Sequence, residues 1–446
     1  MVDAGTTCGR ARSLWNRVRP VLALAAICAI AELAYAVVNI LAIPVYVSKE
    51  LGLGAFVGVV MGAFLLAEAV GRLGLGALSD YIGRRPLIVL GPLVSGAASL
   101  AVIHVGSPAA LVLVRVFDGL GAAAFWPALF AAAGDTTSEE DRGTGMSVLN
   151  VAYMVGLAFG PLAGGWINAE FGAPSRPVYH AAFYLSAGLF AAAALIGLLF
   201  APRQAYSGLA HDAGGEGIAG GERFAGAGSM ARAAARTWRL LLLAFVTFLA
   251  IGLLIPVVEL YALDRYGIDQ KTFGSLFVAP AAVIALAAVP MGRLSDRWGR
   301  VSSIRAGMLL GALSLWAVPF VGSCTVLSAG AILVGMGFLL AFPAWMALLT
   351  EITDAQSRGA VLGAAGMAQG FGAISGTVAG GKLYHGAGFL PGVSAHDSPI
   401  FLAAGLLTLS FLLAALLLRA GRGRDGPKKH GPRKARVEQA AAPQRQ

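Results

Sequence analysis

Gly76–Arg85 reads GALSDYIGRR, and Gly292–Val301 reads GRLSDRWGRV. Both stretches set glycine, leucine, serine, aspartate, glycine and arginine in one register, so Asp80 corresponds to Asp296, 216 residues on. The same spacing holds well outside the motif. Gly119 and Gly121 correspond to Gly335 and Gly337, Pro127 to Pro343, and Arg142-Gly143 to Arg358-Gly359. Gly156, Gly160, Gly164 and Gly165 correspond to Gly372, Gly376, Gly380 and Gly381. Chance similarity between glycine-rich helices would not keep one register over so many positions, so the chain is two homologous halves.

The motif stands in oily surroundings. Of 446 residues, 57% are apolar and 13% charged, and mean hydropathy is +0.75, which is outside the balance of a soluble globular domain. A spanning helix needs about 20 apolar residues. Twelve runs meet that length, near 21–47, 54–77, 86–105, 108–131, 143–168 and 179–201, then 239–262, 273–292, 303–321, 326–349, 359–384 and 399–418. They are too long for barrel strands and show no alternation. The first is also too long for a signal-peptide core and lacks a small-residue cleavage site. The expected fold is therefore an all-α membrane protein, with twelve transmembrane helices arranged as two pseudo-symmetric six-helix bundles. The halves are 21–201 and 239–418; 202–238, rich in Gly and Ala, reads as a flexible cytoplasmic linker, 1–20 as an N-terminal tail and 419–446 as a basic disordered tail.

Arginine and lysine set the topology. Arg10, Arg12, Arg17 and Arg19 precede span one, Arg84 and Arg85 follow span two, and Arg293, Arg297 and Arg300 follow span eight, whereas the opposite loops hold scattered cations such as Lys49, Arg176, Lys271 and Lys382. Both termini are thus expected in the cytoplasm, in a multi-pass protein of the plasma or inner membrane. No soluble domain presents the net charge of +10, so the bilayer, and not nucleic acid, is the expected partner. Cys8, Cys28 and Cys324 share no ligand spacing and the six histidines are dispersed, so no metal is expected. GTVAGGKL, Gly376–Leu383, imitates a phosphate loop, but Leu383 occupies the Ser/Thr position and the stretch lies in a spanning helix. ATP hydrolysis is not expected on that ground, and neither is any other enzyme activity.

Gly76 and Gly83 permit a tight turn between spans. Asp80 suits the positive end of a facing helix, and Arg84 and Arg85 anchor the surface and can bond carboxylates such as Asp135. Together with the repeat, these residues carry a resemblance: over nearly its whole length the chain resembles the major facilitator superfamily. Gly76–Pro86 is similar to that family's G-x-L-x-D-x-x-G-R-R signature, and Gly292–Arg300 to its weaker copy. The resemblance implies a substrate site between the halves near the midplane and alternating access. It also implies a gating role for Gly76, Asp80, Gly83, Arg84, Arg85, Gly292, Asp296, Gly299 and Arg300, which would hold the halves together when the transporter is open to the outside.

Two further motifs lie inside the membrane. RVFDGLGAA, Arg115–Ala123, is similar to the family's R-x-x-Q-G-x-G-A-A motif linked to proton coupling, with Asp118 in place of glutamine. GLAFGPLAGG contributes Gly156, Gly160, Pro161, Gly164 and Gly165, a packing pattern similar to that of the superfamily's exporters, especially drug/proton antiporters. Ser147 stands where the longer pattern has another glycine, and Thr377 replaces the proline in the second half.

A charge at membrane depth is costly and faces a cavity or a partner. Asp118 lies at i+3 from Arg115, either as a neutralised structural pair or as a carboxylate whose proton affinity changes as the site opens. Glu32, Tyr35 and Asn39 share a face of span one. At ~1.5 Å per residue, Glu32 and Asp118 reach a similar depth near the midplane. Glu32, Asp118 and Arg115 are the proton-coupling candidates. Tyr35, Asn39, Glu259, Trp126 and Trp345 are the cavity candidates, Glu259 being either in the outer half of the cavity or solvated at the surface. Glu68 and Arg72, at i and i+4, read as an internal structural pair. The expected function is proton-driven export of amphipathic or cationic small molecules by a monomer without a cofactor. The alternative is proton-coupled uptake of a sugar, organic acid or other metabolite, with Arg72 or Arg115 on an anionic group.

Overall fold

The computed structural model describes residues 4–137, 141–171, 179–202, 227–351, 353, 358–386 and 393–418. Most of the linker, 203–226, and the tail, 419–446, lie outside the described residues. Every regular element among those described is helical, and twelve helices are long and apolar enough to cross a membrane. Spans one to six are Arg19–Glu50, Gly54–Arg72, Arg84–Val102, Pro108–Thr136, Thr144–Phe171 and His180–Phe200. Spans seven to twelve are Thr237–Leu254, Gln270–Ala288, Arg300–Phe320, Val326–Glu351, Val361–Tyr384 and Ser398–Leu417.

Three boundaries depart from the sequence pattern, each for a backbone reason. The first helix begins at Ala4, so residues 4–20 continue span one as helix instead of forming a separate tail. Its outer part widens into π-helical turns at Val37–Ala42 and Tyr46–Glu50. These flank Pro44, whose missing N–H disrupts the regular ladder. The helix of span seven starts at Ala227, inside the expected linker, and kinks at Thr237, where φ is −113° and ψ 15°. It stops at Leu254, and beyond the break at Pro256 a short helix, Val258–Tyr266, runs to Gly267 at φ 63°. The apolar run 239–262 therefore covers two elements, because a proline cannot continue the i→i−4 bonding.

The repeat is visible in individual contacts. Gly83 and Gly299 have φ of 87° and 83°, and each ends one helix and opens the next. Only glycine adopts that backbone without strain. A Cβ at Gly91 would lie 2.7 Å from the Gly121 carbonyl, and one at Gly307 2.3 Å from that of Gly337. Spans three and four thus cross as spans nine and ten do. Gly156 meets the Ala29 carbonyl of span one, and Gly372 the equivalent Phe245 carbonyl of span seven. Backbones approach this closely only where the side chain is hydrogen, which is why the glycines recur in register.

The halves meet across two further crossings. A Cβ at Gly58 would lie 2.2 Å from the Thr377 carbonyl, and one at Gly274 2.3 Å from that of Pro161, the equivalent residue. Both crossings lie at the end of the bundle opposite Gly83 and Gly299. The cross-half hydrogen bonds and ion pairs among the described residues lie at that far end as well: Lys49–Asp264, Ser48–His385, Gln270–Leu41 and Asn168–Gln270. The halves are thus joined at the far end, which is closed.

Candidate functional site

Two adjoining cavities that share Leu157 occupy the centre. The first, about 240 Å³, is walled by spans one, two, four and five and carries Glu32, Tyr35, Asn39, Phe64, Glu68, Trp126 and Tyr153. The Tyr153 hydroxyl hydrogen-bonds Glu32, and Glu68 accepts from Arg72 at 2.5 Å. Tyr35 packs its ring 5.8 Å from Trp126 and 6.2 Å from Phe64, and Trp126 lies 5.4 Å from Tyr153. Carboxylates among aromatic faces suit a cation with apolar substituents, since both the charges and the ring quadrupoles attract it.

The second cavity, about 360 Å³, lies mainly against spans seven, eight, nine and ten, with Phe273, Phe277, Ile284, Val318 and Val334 on its wall. Its lining side chains are apolar apart from Tyr261 and Ser328, and Tyr261 already bonds Asp397. The contrast between the walls follows from the repeat. Residues 216 positions beyond Glu32, Asn39 and Glu68 are Phe248, Ile255 and Ile284; Ile284 lines the second cavity, Ile255 lines the first, and Phe248 borders a separate small void. One half supplies the charge and the other the apolar surface.

Arg115 and Asp118 sit behind the first cavity's wall, at 1% and 2% exposure. Arg115 pairs with Asp118, donates to the Asn39 side-chain oxygen, and lies 4.4 Å over the Phe64 ring. Asn39 therefore links the pair to the cavity, while Asp118 does not line it. Glu68, expected as a structural partner of Arg72, faces the cavity, and Tyr153 and Phe64 were not singled out by sequence at all. The signal was the asymmetry of the repeat, polar in one half and apolar in the other.

Two cavity candidates lie elsewhere. Trp345 packs in the second half's core with Leu240, Ala244, Ile304 and Met308, beside a void of about 40 Å³. Among the described residues its Nε1 has no hydrogen-bond partner. Trp345→Phe keeps a ring and removes an unsatisfied donor. It is expected to change stability by less than ~1 kcal/mol, read as a thermal midpoint, and to leave transport unchanged. Glu259 follows the break at Pro256 into the closed far end, where it is buried and accepts from Gln270 at 2.8 Å.

At the basic end the arginines of the two motif copies bond inside their own halves. Arg84 reaches Ser79 at 2.5 Å and Asp135 at 3.4 Å, while Arg300 reaches Asp296 at 2.6 Å and Glu351 at 3.1 Å. Glu351 is the repeat equivalent of Asp135. Arg85 donates to the Leu198 carbonyl. The side chain of Asp80 lies outside the described residues.

Two six-helix halves closed at one end around a central cavity define a membrane transporter. The family model of the Major Facilitator Superfamily matches residues 23–239 and again 240–444, one match per half, and the chain belongs to that superfamily. It is 26% identical over 333 residues to the multidrug resistance protein MdtH of Aeromonas hydrophila, covering 74% of this chain and 78% of that protein. It is 33% identical over 133 residues to the inner membrane transport protein YajR of Escherichia coli, covering 30% and 28%. The fold is shared with the nucleoside transporter NupG at a TM-score of 0.71, with 14% identity and coverage of 90% of this chain and 100% of that one. It is shared with a bacterial homologue of the human lysosomal transporter Spinster, in an inward-facing and unoccupied conformation, at a TM-score of 0.70, with 17% identity and 90% and 95% coverage.

Proposed function

We propose that this transporter exports amphipathic or cationic small molecules in exchange for protons, as a monomer in the plasma or inner membrane with its basic end in the cytoplasm. The reading rests on one observation: Glu32 and Glu68, set among aromatic rings, face one cavity, and the cavity adjoining it at Leu157 is apolar. A carboxylate in such a site holds either a proton or a substrate cation, because neutralising it twice gains nothing. A proton arriving from outside therefore displaces the substrate, and the next substrate molecule displaces the proton on the cytoplasmic side. The name of MdtH points the same way. Uptake of an anionic metabolite is less well supported, since Arg115 is buried against Asp118 and Asn39, and Arg72 is engaged by Glu68.

Inside-out vesicles carrying the wild type should accumulate a lipophilic cationic dye when a proton gradient is imposed. Glu32→Gln keeps the size of the side chain and a hydrogen-bonding oxygen for Tyr153, and should lower the gradient-driven initial rate at least about tenfold, the weight of one protonation-dependent interaction. Unchanged gradient-driven accumulation in this variant would remove Glu32 from the coupling path. No accumulation by the wild type across a panel of dyes would favour metabolite uptake instead.

A further inference from the structure

Glu259 is a carboxylate that the cavity does not use. It lies in the first turn of the helix Val258–Tyr266, is 2% exposed, and has an Oε2 without a hydrogen-bond partner among the described residues. Among the described residues no cation pairs with it. Its other oxygen accepts from Gln270, which joins the halves: Gln270 also donates to the Leu41 carbonyl at 3.2 Å and accepts from Asn168 at 2.8 Å.

The direction of these bonds is fixed from one end. The backbone N–H of Ala182 can only donate, and it bonds Asn168 Oδ1 at 2.8 Å. Asn168 must therefore donate to Gln270, and both N–H groups of Gln270 are left for Leu41 and Glu259. Glu259 is offered one neutral donor and nothing more. An ionised carboxylate would give up its whole hydration shell for that single bond, whereas the neutral acid gives up far less. The first turn of the short helix favours a negative charge, but this is a smaller effect than desolvation. Packing does not demand an acid either, because the equivalent residue of the first half is Ile43, fully buried.

We propose that Glu259 is a proton-binding site of the far-end gate, protonated while the halves are closed there and ionised once they part and water reaches it. The proton enters and leaves on the same side of the membrane. Glu259 therefore sets the balance between conformations and carries no proton across. Opening releases a proton, so alkaline solution at the far end favours the open state and acid favours the closed one. The reading stands apart from the proton exchange assigned to Glu32. The titratable groups around the gate are Tyr179 before span six and His180 at its start, Lys49 and Glu50 closing span one, Asp264 and Arg265 on the short helix, Asp269 and Lys271 beside Gln270, Tyr384, which bonds Asp264, and His385, which bonds Ser48 across the halves. Lys49 is taken by Asp264, and Glu50 by His180.

The test uses the full chain in nanodiscs. Spin labels are placed on Ala109→Cys and Gly322→Cys, exposed residues at the far ends of the two halves, with Cys8, Cys28 and Cys324 replaced by alanine. The background carries Glu32→Gln and Glu68→Gln, so the cavity acids contribute no titration. The open, long-distance population should rise as pH is raised. Glu259→Gln should hold the far end closed at every pH, with an open population at least about tenfold lower at the alkaline limit. Glu259→Ile, which installs the residue of the first half, should abolish the pH response even if the glutamine variant fails to fold. A parent protein without a pH-dependent shift would overturn the proposal, as would a shift that survives in a folded Glu259 variant. Loss of dye transport in the wild type would instead count against the exporter reading and leave this result standing.

Discussion

Asp118→Asn is expected to destabilise the protein severely, with loss of most of the folded, monodisperse material after solubilisation. The substitution keeps the shape of the side chain but removes the anion that, among the described residues, is the only one paired with Arg115, which is 1% exposed. Breaking a buried pair from one side costs about 3–5 kcal/mol, because the remaining charge is stranded. That is a large share of a total stability of about 5–15 kcal/mol. Removing both charges is a different experiment, since well-packed apolar replacements are often neutral or stabilising by ~1–4 kcal/mol. The protein already carries that replacement: the equivalents of Arg115 and Asp118 in the second half are Ala331 and Val334. Arg115→Ala combined with Asp118→Val should therefore recover the thermal midpoint that Asp118→Asn loses. Dye transport by the double variant then separates the two roles open for the pair. Gradient-driven accumulation at the wild-type rate makes it structural, and a folded protein with gradient-independent transport places it on the coupling path.

The twelve spans and the two halves were legible because they depend on composition and register. An apolar run of span length has few alternatives in a bilayer, and the 216-residue spacing is kept by glycines that backbone crossings require. The cavity was legible only in part. Glu32, Tyr35, Asn39 and Trp126 stand on its wall because polar and aromatic residues are conspicuous in such a chain. Phe273, Phe277 and Ile284, which line the adjoining cavity, carry no such mark, since an apolar residue facing a cavity reads like one facing lipid. Glu259 was singled out, but its surroundings were illegible for another reason. Its place depends on how the chain turns after Pro256, and a proline in a run of apolar residues tells where a helix stops but not where the next one points.

Gly58→Val is expected to slow turnover while leaving both halves folded. Its nearest obstruction, the Thr377 carbonyl at 2.2 Å, belongs to the other half and is backbone, so it cannot rotate away as a side chain would. Gly119→Val makes a useful contrast, because there the obstruction is the Phe64 carbonyl at 2.4 Å, inside the same half. That variant should lower the thermal midpoint, whereas Gly58→Val should mainly penalise the state in which the far end is shut. Overpacking at one such contact costs about 1–3 kcal/mol, and fully inverting a conformational equilibrium takes about 5.5 kcal/mol. Gly58→Val should therefore shift the population part of the way. Adding Gly274→Val at the symmetric crossing, on different helices, should come close to completing the shift, since separate sites add. The labelled pair Ala109→Cys and Gly322→Cys would report a predominantly open far end in the double variant, with transport reduced by about a hundredfold or more. Wild-type transport with a far end still closed would mean that the helices slide to accommodate the valines, and that the register of these glycines is set by packing within each half and not by the closing of the halves on one another.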